Sequence, residues 1–276
     1  MPIEEAHVPV LDRGFIFGDG VYEVIPVYSQ RAFRLAEHLK RLQASLDGIR
    51  LNNPHTVSEW TKLINELIAR NAAEDQYLYL HITRGVARRD HAFPQPPVQA
   101  TVFMMSSPLH QPAAELLAIG VSAVTAVDNR WLRCDIKAIS LLPNVLLRQM
   151  AVDAGCAETI LIRDASFMTE GAASNIFVVK NDMLLAPPKD NLMLPGITYD
   201  VVLELAAANK ISFQVRKIAR HEVFDADELL LTSSTKEVLP VTTVDGKPVG
   251  SGKPGAMFTR LHMLYQNFKR EVMRQP

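Results

Sequence analysis

Cysteine is scarce in this chain: Cys134 and Cys156 are the only two, far apart and outside any Cys-x-x-Cys pattern. That spacing argues against a disulfide framework or a thiolate metal centre and suits a reducing compartment. Net charge is equally scarce. Twenty-nine basic residues against thirty acidic ones leave a formal charge of −1, so no global field draws the chain to nucleic acid or to an anionic membrane; only local anion sites remain open. No apolar run is long enough to span a bilayer, and the opening Met-Pro-Ile-Glu-Glu-Ala-His has neither a basic nor an apolar leader segment, so a cytoplasmic protein is expected. Gly14, Gly18 and Gly20 do not form the Gly-x-Gly-x-x-Gly of a dinucleotide loop. Internal repeats and low-complexity tracts are absent too. What is present is ordinary: 48% hydrophobic and 21% charged residues over 276 positions, enough for two modest domains or one large one.

The periodicity alternates between strands and helices. Val21 to Tyr28 and Gln76 to Thr83 are rich in β-branched and aromatic residues and read as strands. Leu35, Leu39, Leu42, Leu46 and Ile49 recur at helical spacing, with His38, Arg41 and Ser45 beside the centre of that stripe. Residues 58 to 70 read as a second amphipathic helix and residues 98 to 105 as a strand. The prolines and polar residues of 106 to 112 mark a boundary, giving a small domain over 1–110, a connecting stretch over 111–118 and a larger domain over 119–276. In the larger domain, strands are predicted over 119–127, 158–163, 175–180 and 183–186, helices over 143–155, 199–209 and 254–273, and a strand from Leu229 into the hydroxyl cluster before Lys236.

Two segments carry chemistry. Lys137 lies between Ile136 and Ala138-Ile139, before Leu141-Leu142 and a helix that can start at Pro143. An amine held among apolar residues is stripped of water, and desolvation favours its neutral, nucleophilic form; the alternative is a surface lysine whose stem lies on apolar neighbours. About thirty residues on, Thr169-Glu-Gly-Ala-Ala-Ser-Asn-Ile-Phe-Val-Val places a carboxylate, Glu170, and a small-residue turn before an apolar strand. A lysine and a distant carboxylate suit pyridoxal phosphate, which needs an amine for its aldehyde, an acid for its ring nitrogen and donors for its phosphate. Gly196, Ile197 and Thr198, at the start of a helix, have backbone N–H groups suited to a phosphate; Ser233 and Ser234 are a second such group, and either set could be simple helix and turn capping. The loop Arg84 to Pro97 holds Arg89 and His91, a guanidinium fork and an imidazole that can together satisfy a carboxylate, unless they are merely solvated.

With Arg130-Trp-Leu-Arg-Cys-Asp-Ile-Lys137, Arg89-Asp-His91 and the Glu170 run in place, nearly the whole chain resembles the class IV aminotransferases, the pyridoxal-phosphate enzymes of the branched-chain and D-amino acid group, and most narrowly the D-amino acid enzymes among them. The resemblance implies a small α/β domain and a larger one with barrel-like strands, with the cofactor between them. It implies Lys137 as the Schiff-base lysine and Glu170 as the ring-nitrogen acid. Arg41, the Gly196-Ile197-Thr198 helix start and Ser233-Ser234 match the phosphate ligands, and Leu194 matches the residue against the pyridine ring. Tyr28, Arg89 and His91 match the substrate-carboxylate anchor, the last two serving the neighbouring subunit of a homodimer. The implied reaction moves an amino group between a D-amino acid, D-alanine or D-glutamate, and a 2-oxo acid, 2-oxoglutarate or pyruvate. L-branched-chain or amine aminotransferases and aminodeoxychorismate-type lyases share the fold, and Arg89-Asp90-His91 favours the D-specific reading over them.

Departures accompany the match. Ala172 and Ala173 stand where serines are common, and Ala186 and Tyr199 where the signature has a threonine and a basic residue. Members of the group begin with a further short strand before the segment equivalent to residues 8–15; that strand is missing from this sequence, and a shortened start and an incomplete edge to the first sheet are both open. The spacing leaves open which way Arg130 and Arg133 face.

Overall fold

Alternating burial along two strands organises the first unit. The computed structural model describes residues 2–274, and the chain divides into two units, one running to His110 and including Ile136–Leu141, the other made of Gln111–Asp135 and the residues from Leu142 onward. The first contains α1 (Arg13–Phe17), β1 (Gly20–Tyr28), β2 (Arg31–Ala32), α2 (Leu35–Gly48), α3 (Val57–Ala69), β3 (Gln76–Thr83) and β4 (Thr101–Pro108). Its sheet is antiparallel in the order β2-β1-β3-β4, with Val21 opposite Ile82 and Ile25 opposite Leu78. Val21, Ile25 and Val27 of β1 and Leu78, Leu80 and Ile82 of β3 point to one face, where Leu39, Leu42 and Leu46 of α2 and Trp60, Ile64 and Ile68 of α3 close the core. The other face carries half-buried Tyr22, Tyr79, His81 and Phe103 in tilted and edge contacts. The helix α3 starts as its sequence demands, with Thr56 and Glu59 in a reciprocal capping box.

Two boundaries differ from expectation. Residues 111–118, expected as a connection, contain most of α4 (Ala114–Ile119), whose apolar side lets Leu117 pack on the second unit's core. Ile136–Leu141, expected inside the larger domain, folds with the first unit because Ile136 and Ala138 fill its core and Ala138 bridges Val21.

The second unit continues with β5 (Val121–Val127), α5 (Leu142–Asp153), β6 (Glu158–Arg163), β7 (Phe167–Gly171), β8 (Asn175–Lys180), β9 (Met183–Ala186), α6 (Ile197–Ala208), β10 (Phe213–Val215), β11 (Ile218–Ala219), α7 (Arg220–Phe224), β12 (Glu228–Ser233), β13 (Glu237–Val244), β14 (Lys247–Pro248) and α8 (Ala256–Met273). Ten strands form one mixed sheet in the order β10-β9-β8-β12-β13-β5-β6-β7-β11, with β14 added to β13. β7 and β8 are five places apart in that order, yet three residues join them and Gly171 N–H donates to Ser174 O at 2.7 Å. The sheet therefore curls back on itself, the barrel-like arrangement expected of this domain. Fully buried Ile160, Ile176, Val178 and Leu231 line its interior. No helix among the described residues is long and apolar enough to cross a membrane.

Candidate active site

In the first unit, strand-like alternation aims Lys137. Ile136 and Ala138 point into the core, so the side chain between them points the other way, onto the aromatic face of the sheet. Its backbone is fixed at both ends: Tyr22 N–H donates to Lys137 O at 2.9 Å, and Lys137 N–H donates to Ser45 Oγ at 3.1 Å. The Lys137 Nζ sits 4.2 Å from the centre of the Tyr22 ring, a cation–π distance. The lysine is half-buried rather than enclosed.

The tyrosine expected in the substrate anchor was Tyr28. That residue is 0% exposed, edge-on to Phe33, at the far end of β1; six residues at the rise of an extended strand put it about 20 Å from Tyr22. The tyrosine beside Lys137 is Tyr22. Both sit on one face of the strand, so alternation alone did not separate them; the bridge between Val21 and Ala138 does.

Arg41, expected at a phosphate, lies on α2 and is buried with His38 next to the leucine stripe. Glu23, on the core-facing side of β1 and wholly buried, accepts from Arg41 Nε at 2.7 Å and Nη2 at 2.8 Å, and its Oε2 lies 2.8 Å from His38 Nδ1. The Arg41 guanidinium holds the Glu23 carboxyl well below the usual range in spite of burial, while burial lowers His38. His38 Nε2 is buried with no hydrogen-bond partner among the described residues.

Arg89 and His91 are exposed. Their loop is nevertheless pinned, because Arg13 donates from Nη1 to Asp90 O at 2.6 Å and to Ala92 O at 3.2 Å, and Asp19 accepts from both Arg13 and Arg84 at 2.8 Å. Arg89 stands 5.4 Å from the Phe17 ring, with the His91 ring 5.3 Å from the same phenylalanine.

In the second unit, Glu170 is on β7, one residue before the point where the sheet curls into β8. Its side chain is 5% exposed. Arg130 Nη1 donates to Oε1 at 2.6 Å, Asn175 Nδ2 donates to Oε2 at 3.1 Å, and the Leu194 N–H lies 3.3 Å from both oxygens. Burial pushes the carboxyl up to about 7, against the pull of Arg130. Arg130, whose direction the sequence left open, thus faces inward, while Arg133 pairs with Asp135 at the surface.

Leu194 leads into Gly196, the N-cap of α6, with Ile197 and Thr198 as its first buried turn. No side chain among the described residues caps this end, and Thr198 lies inside the helix. Gly196 is needed for space: a Cβ there would run into Asn175 Oδ1. The unexpected tyrosine at 199 is internal, stacked on Phe177 and donating to Pro187 O at 2.7 Å. Ser233, half-buried at the end of β12, accepts from Lys236 N–H at 3.1 Å, with half-buried Ser234 next to it. Glu23, Tyr22, Asp128 and Asn175 were given no role by the sequence, and Arg130 was given no direction; a charge inside an apolar strand is the signal that marks Glu23.

A family model of class IV amino-transferases matches residues 20–244. The chain is similar to the D-alanine aminotransferase of Bacillus licheniformis, 41% identical over 270 residues covering 97% of this chain and 93% of that protein. It is 37% identical over 265 residues to the D-alanine aminotransferase of Staphylococcus epidermidis, covering 96% and 93%. Among solved structures, the branched-chain amino acid aminotransferase from Escherichia coli superposes with a TM-score of 0.86 at 26% identity, covering 98% of this chain and 90% of that one. A T.th. branched-chain amino acid aminotransferase with pyridoxamine 5'-phosphate gives 0.90 at 27%, covering 100% and 92%.

Proposed function

The chain belongs to the class IV aminotransferases, and from that premise we propose that it is a pyridoxal-phosphate-dependent transaminase moving the amino group of a D-amino acid, D-alanine or D-glutamate, to 2-oxoglutarate or pyruvate. The setting of Glu170 carries this reading: a buried carboxylate fixed by a guanidinium, an amide and a backbone N–H is built to hold a proton on a heteroaromatic nitrogen. The donor set fits the cofactor. Lys137 would hold its aldehyde, Glu170 its ring nitrogen, Leu194 the ring face, and Arg41, the backbone of Gly196, Ile197 and Thr198, and Ser233-Ser234 its phosphate. When bound, pyridoxal phosphate spreads the electron pair left as the substrate's Cα–H bond breaks.

Lys137 Nζ takes the Cα proton and later returns a proton, acting as base and then acid. The anchor for the substrate carboxylate decides which enantiomer turns its hydrogen toward Nζ. Tyr22 replaces Tyr28 in that anchor, because it is the tyrosine beside Lys137. Arg89 and His91, exposed on a pinned loop, serve the neighbouring subunit of a homodimer. Apolar exposure supports self-association: Leu142, Val145, Leu146 and Met150 of α5 are 69%, 58%, 60% and 48% exposed and form one helical stripe.

The test is a panel of D- and L-amino acids with 2-oxoglutarate, followed by keto-acid formation. D-alanine and D-glutamate are expected to react far faster than their L forms. A preference for L-leucine or L-valine would overturn D-specificity and leave transamination standing; no reaction with any amino donor would overturn both.

A further inference from the structure

Arg130 is a buried guanidinium with a carboxylate on each side. Asp128 accepts from Nε and Nη2 in a fork at 2.9 Å each, and Nη1 is left to donate to Glu170 at 2.6 Å. Asp128, 0% exposed in its side chain, is itself fixed by Thr169 Oγ1 at 2.7 Å, with Arg163 Nη2 at 3.2 Å. The chain Thr169–Asp128–Arg130–Glu170 therefore reaches from the middle of β7, across the end of β5, back to the end of β7. We infer that Asp128 and Arg130 are positioning residues that orient Glu170 and oppose its protonation, so that its remaining lone pairs can accept a proton held on the cofactor's ring nitrogen. This rests on the transaminase reading above.

The physical reason is competition. Enclosure favours the neutral acid, and a protonated Glu170 would donate rather than accept. A cation at 2.6 Å opposes that and is worth about one to three pH units to a carboxylate. Lysine could supply the charge, but only a planar fork can be gripped by Asp128 on one edge and address Glu170 with the next nitrogen. The other groups around Glu170 do not substitute: Asn175 and the Leu194 N–H are neutral, Cys134, its thiol pushed up to about 11, is uncharged, and Arg163 is turned to Asp128 and to Arg130 O.

The experiment loads wild type, Arg130→Gln, Arg130→Lys and Asp128→Asn with ring-15N pyridoxal phosphate and follows the nitrogen chemical shift against pH, with occupancy checked by absorbance and fold by circular dichroism. In Arg130→Gln the ring nitrogen should lose its proton about one to three pH units earlier than in wild type, and Arg130→Lys should restore part of that shift. The kcat for D-alanine should fall while its KM stays within about twofold. Should Arg130→Gln fail to fold, Asp128→Asn carries the test, because Arg130 then keeps its charge and loses its grip; an intermediate shift is expected. An unchanged nitrogen titration in a folded, loaded variant overturns the inference even if activity falls. A wild type that neither binds the cofactor nor transaminates overturns the underlying reading instead.

Discussion

At the scale of single residues, the roles proposed for Lys137 and Glu170 are separable. Lys137→Ala should abolish steady turnover while leaving cofactor binding through phosphate and ring contacts measurable by equilibrium dialysis; undiminished turnover would remove the assignment. Glu170 makes a second prediction through its acidity. Its ordinary carboxyl value of 4.5 is pushed up to about 7 in the fold, so between those values the folded chain keeps a proton that the unfolded chain releases. Its contribution to the stability of the cofactor-free protein should then decline as pH rises through that window, by up to about 1.4 kcal/mol per pH unit, and level off above it. In Glu170→Gln that slope should vanish from urea unfolding curves taken between pH 4.5 and 7.5. The same substitution should slow turnover, since a neutral amide cannot stabilise the ring proton.

At the scale of elements, α2 and β1 are locked by charge as well as by leucine. Glu23, wholly buried, holds both Arg41 and His38. Glu23→Gln should cost about 3–5 kcal/mol, because it strands a buried cation, whereas Glu37→Gln on the exposed side of α2 should stay within about 0.5 kcal/mol. The pH signs run opposite to that of Glu170. Glu23 is lowered, so its stabilisation is present above 4.5 and lost as pH falls below it; His38, lowered from 6.5, stays neutral when folded and weakens the fold as pH drops under 6.5. Comparing each variant with wild type across the same pH range separates the slopes. Element identity was legible where periodicity was long: β3, β6, β8 and β9 run as the pattern predicts. The short β7, which carries Glu170, was hidden because Thr-Glu-Gly reads as turn chemistry, and its pairing with β6 and β11 comes from distant parts of the chain. Likewise Tyr22 and Tyr28 are indistinguishable by composition and separated only by which end of β1 meets residues 136–141.

At the scale of the whole molecule, the shared-site reading predicts complementation. Arg89→Ala and Lys137→Ala proteins, each inactive, should recover activity when mixed under conditions of verified subunit exchange, since one of the hybrid's two sites would be intact; no recovery would break the homodimer proposal. The larger unit was legible as a mixed α/β domain from its alternating elements, yet the assignment of 136–141 was not, because chain order placed it on the wrong side of the boundary. That six-residue return has a consequence for biosynthesis. The first unit cannot finish when His110 emerges, since Ile136 and Ala138, which complete its core, are made only after the chain has entered the second unit. A nascent chain halted at residue 110 would therefore hold an unsealed core, open to chaperones and proteases. The segment that seals it brings Lys137 with it, so that completion of the first unit and delivery of the proposed nucleophile are one event in time.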